Sequence, residues 1–334
     1  MDKSEIVRYK DNLLNNLLLR GEYDAASGLR RKVLMVEGAT DQAFVEHIKS
    51  RDTRCIAVAE FMRARSAFST SRTPIMPSYN CKRVITTILK HIALFPEYYD
   101  FPKGAEKWPL YGLVDNDFDD SREYMRVTKL FWTDTHDLET LLIATDRELL
   151  TRINQCTITS EDVKSALYVA QQLSAFRQAI KSNGTLNPTG ISESNGTIEF
   201  DAFTEGDRIN LMKLLEYVSS KAEKPLSREK LKRISEAIKK DMRRLLDKEG
   251  YWKKTIDLFE FDENSNLWME INGHDILSAI CYKNPSVKGV FINAGGYSQN
   301  RDFEFALSSA YDYDCLKKTK LYSQLQAAGL LQVC

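Results

Sequence analysis

The sequence has no apolar run near the ~20 residues that a bilayer-crossing helix needs. Its opening stretch, MDKSEIVRYKDNLLNNLLLRGEYD, has neither the apolar segment nor the small-residue cleavage site of a secretion signal. A soluble, cytoplasmic protein with no membrane partner is therefore expected. No C-x-x-C pair occurs. The six cysteines (Cys55, Cys81, Cys156, Cys281, Cys315, Cys334) are scattered, which argues against a zinc knuckle and for reduced, mostly buried thiols. There is no excess of charge, since Lys+Arg and Asp+Glu both number 47. That excludes a protein that coats nucleic acid through global charge, and leaves room for a local basic groove facing an acidic centre. A G-x-x-x-x-G-K-[ST] phosphate loop is missing, so the chain does not hold ATP in that way. Internal repeats and low-complexity tracts are absent too.

What is present is a core. Of 334 residues 43% are hydrophobic and 28% charged, enough for one large domain or two ordinary ones. Residues 1–30 read as an N-terminal amphipathic helix and a turn. Short apolar runs at 32–36 (KVLMV), 54–59 (RCIAVA), 110–114 (LYGLV) and 130–133 (LFWT) read as strands. Helical spacing fills the gaps at 41–50 and 80–95, and another helix starts near Asp137. A Ser/Thr/Pro-rich loop covers 63–78. Strands alternating with helices predict an α/β fold, a Rossmann-like parallel sheet flanked by helices, over 31–150. From 151 to 334 the spacing becomes mainly helical, with Leu211, Leu214, Leu215 and Val218 in one stripe and Leu231, Ile234, Ile238 and Met242 in another. A long loop is expected at 183–195. Late strands at 267–271 and 290–292 are candidates to join the sheet, and a C-terminal helix is expected at 316–330.

Three acidic clusters follow expected strands: Glu37 to Asp41 (EGATD), Asp115 to Asp120 (DNDFDD), and Asp134 to Glu139 (DTHDLE). In an open parallel sheet, ligands gather beyond the carboxyl ends of the strands, so the clusters should converge. Carboxylates brought together repel one another, and a hard divalent cation with oxygen ligands relieves that repulsion. Each cluster alone has a plainer reading. Gly38 suits a turn and Glu37 a helix terminus. The second cluster lacks the glycine and glutamate of an EF-hand loop. The third reads as a capped helix start. Their order and strand placement together are what give the metal reading its weight.

VLMVEGATD at 33–41, followed by YGLVDNDFD at 111–119, resembles the Toprim domain of topoisomerases, primases and OLD-type nucleases. DTHDLETLL at 134–142 is similar to the third acidic element of the OLD-like branch. The chain as a whole resembles the compact Toprim effectors of bacterial anti-phage defence, the AriB-type effectors of PARIS systems above all. The resemblance implies an Mg²⁺-dependent (or Mn²⁺-dependent) endonuclease. Glu37 would be metal ligand or general acid/base, Asp115 and Asp117 the metal-binding D-x-D, Asp41 a supporting or second-ion carboxylate, and Glu139 with Asp137 a second metal site. Where many OLD-type nucleases carry a late lysine, this chain has His274 in NGHD, with Lys283 nearby. Either, or neither, would serve in catalysis. The resemblance further implies antiviral defence by abortive infection, with cleavage of host tRNA, activity as a homodimer, and restraint by a separate ATPase chain.

Arg63, Arg65, Arg72, Lys82 and Arg83, around the loop after the second strand, are the candidate substrate groove. The basic helix at 226–248 reads as a solvated face as readily as a phosphate contact, since Glu229, Glu236 and Asp241 interrupt it. Phe118 and Trp132 read as core or as base-stacking rings. Three functions stay open: a ribonuclease on tRNA, an OLD-like DNA nuclease, and a non-catalytic Toprim-like binding subunit.

Overall fold

The computed structural model describes residues 32–59, 81–94, 109–116, 127–146, 148–153, 157–184, 203–220, 224–248, 268, 271–287 and 299–332. The expected N-terminal helix at 1–30, the loop at 63–78, most of the loop at 183–195 and the strand at 290–292 lie outside these. Of 267–271, only Trp268 and Ile271 are described, both buried. These residues form two compact units. The first takes the described residues up to 115, those of 127–133 and those from 317 on. The second takes 116 and those of 134–316.

The first unit is a four-stranded sheet of β1 (Lys32–Val36), β2 (Thr53–Ala57), β3 (Leu110–Val114) and β4 (Leu130–Trp132), in the order β2-β1-β3-β4. All three pairings are parallel. It is an α/β, Rossmann-like sheet. α1 (Ala39–Ile48) packs on β1 and β2, and α2 (Cys81–Leu94) on β1 and β3. Val33 and Met35 join the cluster of Ile85, Ile88, Leu89 and Ile92 from α2. Leu34 and Val36, on the opposite face, are buried as deeply. Both faces are covered, which is why β1 reads as a continuous apolar run and not as an alternation. Gly112 sits in β3 because a Cβ there would lie 2.5 Å from Ile85 Cγ2 and 3.0 Å from Leu130 Cδ1. Its missing side chain lets α2 approach the sheet.

The second unit is built on α4 (Ser160–Asn183), which is buried around most of its circumference. α6 (Arg228–Lys248) and α7 (Gly273–Lys283) pack on it, and α6 also packs on α5 (Leu211–Ser220). α3 (Leu138–Thr145) packs on α7 and on α8 (Gln299–Ala310). A short hairpin, β5 (Thr204–Glu205) and β6 (Arg208–Ile209), turns at Gly206 with a positive φ of 61°. Its Asp207 carbonyl accepts from Gln172 Nε2 at 2.8 Å.

The division differs from an expected break near residue 150. α3 is apolar on nearly every side, with Leu138 through Ala144 all buried, and it joins the helical unit. α9 (Lys320–Ala327) packs on β4 instead, and an antiparallel bridge joins Lys49 to Leu331. Lys32 Nζ donates to the Ala328 carbonyl at 2.7 Å and the Gly329 carbonyl at 3.1 Å, closing the end of that helix. Among the described residues, no helix is long and apolar enough to cross a membrane.

Candidate metal sites

The strand order reverses between β1 and β3. The chain leaves β1 for β2 on one side, then returns to build β3 and β4 on the other. At such a switch point the two carboxyl ends diverge and leave a crevice where ligands bind in open α/β sheets. Glu37 and Asp115 are the first residues beyond those two ends. They meet there: the Asp115 backbone N–H donates to Glu37 Oε1 at 3.0 Å. Both are half-buried. A Glu37 carboxylate oriented by a backbone donor, with a second acidic residue at the end of the adjacent strand, offers oxygen donors of the kind that suit a hard cation such as Mg²⁺. Asp117, the second acid of the D-x-D, lies outside the described residues.

Asp41 has a different task. Gly38 is the N-cap of α1, and its N–H donates to Asp41 Oδ2 at 2.7 Å. Thr40 lies inside the first turn of the helix. Asp41 thus closes the first turn, a role natural to an acid at that position.

In the second unit, Asp137 is the N-cap of α3. Its Oδ1 accepts from Thr140 N–H at 2.9 Å and its Oδ2 from Gly273 N–H at 2.7 Å, while His136 Nδ1 lies 3.1 Å from Oδ2. Burial opposes its charge. The His136 hydrogen bond and charge, the nearby His274 and the Gly273 N–H outweigh that opposition and lower its pKa to about 2. Asp137 therefore serves the backbone at the starts of α3 and α7.

Glu139, in the first turn of α3, is also buried. Its carboxylate, the His274 imidazole of α7 and the Glu304 carboxylate of α8 each place one donor atom within 4.8 Å of the other two. His274 Nδ1 lies 2.9 Å from Glu304 Oε1. Crowding by protein opposes the charged imidazole. The facing Glu304, Glu139 and Asp137 carboxylates outweigh this and raise its pKa well above the ordinary histidine value. Glu304 was not foreseen. It sits in a helix with no motif around it, and its only signal is the burial of a carboxylate, which one sequence does not disclose.

Lys283 is engaged elsewhere. It ends α7, ~14 Å along the helix from His274 at 1.5 Å per residue. There it donates to the Gly206 carbonyl at 2.5 Å and pairs with Asp207. It clasps the β5–β6 turn. Lys82 is likewise not on an open groove. It is buried in α2, with Nζ 4.8 Å from the centre of the Trp132 ring. Arg83, next to it, is exposed. Arg63, Arg65 and Arg72 lie outside the described residues. No protein-family model matches the chain, and no curated protein matches it.

Proposed function

We propose that this protein is a Mg²⁺-dependent enzyme that cleaves phosphodiester bonds in nucleic acid, with its chemistry at the switch point between β1 and β3. The observation that carries this reading is the meeting of Glu37 and Asp115 at the carboxyl ends of two adjacent parallel strands. Glu37 and Asp115 would hold the ion, which supplies a Lewis acid for a phosphoryl oxygen and a more acidic bound water. The protein's own contribution is positioning. The Asp115 N–H holds one oxygen of Glu37 in place, and the Glu37 carbonyl is itself tied down by the Ala59 N–H at 3.0 Å. Asp41 and Asp137 each hold backbone donors at a helix start, so the proposal takes a single Mg²⁺, at Glu37 and Asp115.

The motif resemblance to Toprim effectors extends the proposal: host tRNA as substrate, action in anti-phage defence, and restraint by a separate ATPase. The test incubates the purified full chain with total RNA and with plasmid DNA, with Mg²⁺, Mn²⁺ or EDTA. Cleavage that needs the metal and is lost in Glu37→Ala supports the reading. Cleavage that persists in EDTA or in Glu37→Ala overturns it. Metal binding without cleavage of either polymer identifies a binding subunit instead.

A further inference from the structure

Glu139, His274 and Glu304 come from three different helices, α3, α7 and α8, far apart in sequence. Their donor atoms already lie within 4.8 Å of one another, and one pair is at 2.9 Å. Ligands bound at about 2.0 Å around a tetrahedral ion sit roughly 3.3 Å apart, so modest rotations of two glutamate side chains close the remaining gap.

An ion pair is the simplest alternative, with a protonated His274 bonded to Glu304. It involves two of the three donor groups. The triad has two carboxylates, and both are buried, at 5% exposure for Glu139 and 7% for Glu304. Taking a carboxylate out of water costs several kcal/mol unless an opposite charge repays it. A divalent cation with a neutral imidazole matches the charge of two carboxylates and can take a donor atom from each of the three groups.

The surroundings are also built to hold these groups. The His274 side chain can stand beside Glu139 because residue 273 is glycine. A Cβ there would lie 2.5 Å from Glu139 Cβ and 2.5 Å from Asp137 Oδ1. The Gly273 N–H is fixed by Asp137, and the Asn272 side chain caps the same helix start by accepting from the Asp275 N–H. The approach of α7 to α3 is thus set by backbone and caps, as supporting groups around metal ligands require. The His274 side chain remains 49% exposed, leaving one side of the triad open to water.

We propose that Glu139, His274 and Glu304 form a binding site for a borderline divalent cation of the Zn²⁺ class, with water completing its coordination. One nitrogen and two carboxylate donors without thiolate suit such ions better than Mg²⁺ or Ca²⁺, which prefer oxygen alone. Glu139 is then a metal ligand, with partners from α7 and α8 instead of the neighbouring Asp137. The ion links three helices of the second unit. This site is independent of the Mg²⁺ reading at Glu37 and Asp115.

The test strips the full chain with chelator and titrates it with Zn²⁺ by calorimetry. One site is expected whose affinity falls at least tenfold in Glu304→Gln and in His274→Ala and is unchanged in Glu37→Ala. Zinc-edge X-ray absorption on the wild-type protein should show imidazole nitrogen and carboxylate oxygen without sulfur. That measurement does not depend on any variant folding. Absence of Zn²⁺ binding, wild-type binding by Glu304→Gln, or a sulfur ligand from one of the cysteines would each overturn the proposal.

Discussion

The two units gather acidic side chains by different means. In the first, Glu37 and Asp115 meet because two parallel strands end side by side, and each acid is the next residue along. In the second, Glu139 meets His274 and Glu304 because three helices pack together at angles that no local pattern specifies. Strand pairing turns a sequence position into a spatial one almost directly. Helix packing does so only after every helix has found its neighbours.

The sharpest way to break this comparison is to remove one acid from the strand-built pair. Glu37→Ala should lower metal-dependent cleavage by about a thousandfold, roughly 4 kcal/mol in barrier. It should cost only about 1 kcal/mol of stability, for the hydrogen bond lost from Asp115 N–H. Cleavage rates and urea melts on the same preparation separate the two effects.

The next largest effect belongs to the helical unit. Asp275, 1% exposed, is paired with Arg177 across α7 and α4, and Arg177 Nη2 donates to Oδ1 at 2.7 Å. Arg177→Met strands a buried carboxylate and should destabilise the protein by about 3–5 kcal/mol. Adding Asp275→Leu should restore most of the loss. If the double variant is as unstable as the single, the arginine acts through packing and not through charge.

Each unit also has a glycine that permits a close approach between a helix and its neighbour. Gly112→Ala and Gly273→Ala both meet a heavy atom at 2.5 Å, and each should cost about 1–3 kcal/mol in a denaturant melt. Only Gly273→Ala should also weaken Zn²⁺ binding. An equal loss of Zn²⁺ affinity in both would show that general loosening, not the local approach of α7 to α3, controls the site.

A smaller effect should follow pH. Burial opposes the charge of Asp162, but hydrogen bonds from the Thr159 N–H and hydroxyl and from Asn284 outweigh it and lower its pKa. A lowered carboxylate contributes stability above its unfolded pKa and loses it as pH falls through the folded value. Asp162→Ala should therefore cost about 1 kcal/mol at neutral pH, as the loss of a capping group does. The difference from wild type should shrink in melts taken at about pH 3. A difference that stays constant with pH would show that the carboxylate's charge is irrelevant. Smallest of all, Lys82→Met should change nucleic-acid affinity less than about twofold, because this side chain is buried over Trp132 and not presented to solvent. A large drop in a filter-binding titration would return it to the substrate groove.

The sequence by itself determined the parallel sheet. β1 and β3 carry apolar runs buried on both faces, and such runs are visible without knowing their partners. Its strand ends also placed Glu37 and Asp115, because the residue that follows a buried strand emerges at the sheet's edge. What it left undecided was how each polar group would be used. Asp41 and Asp137 had the right spacing for metal ligands, yet local backbone donors claimed them as caps, a competition that acidic residues at helix starts always face. Lys283 and His274 looked interchangeable until α7 put them at opposite ends of one helix. Glu304 carried no local pattern, and only the packing of α8 against α3 and α7 brought it to His274. Periodicity reports which face of an element is buried. The identity of what lies against that face depends on contacts between distant segments, and those exist only once the chain has folded.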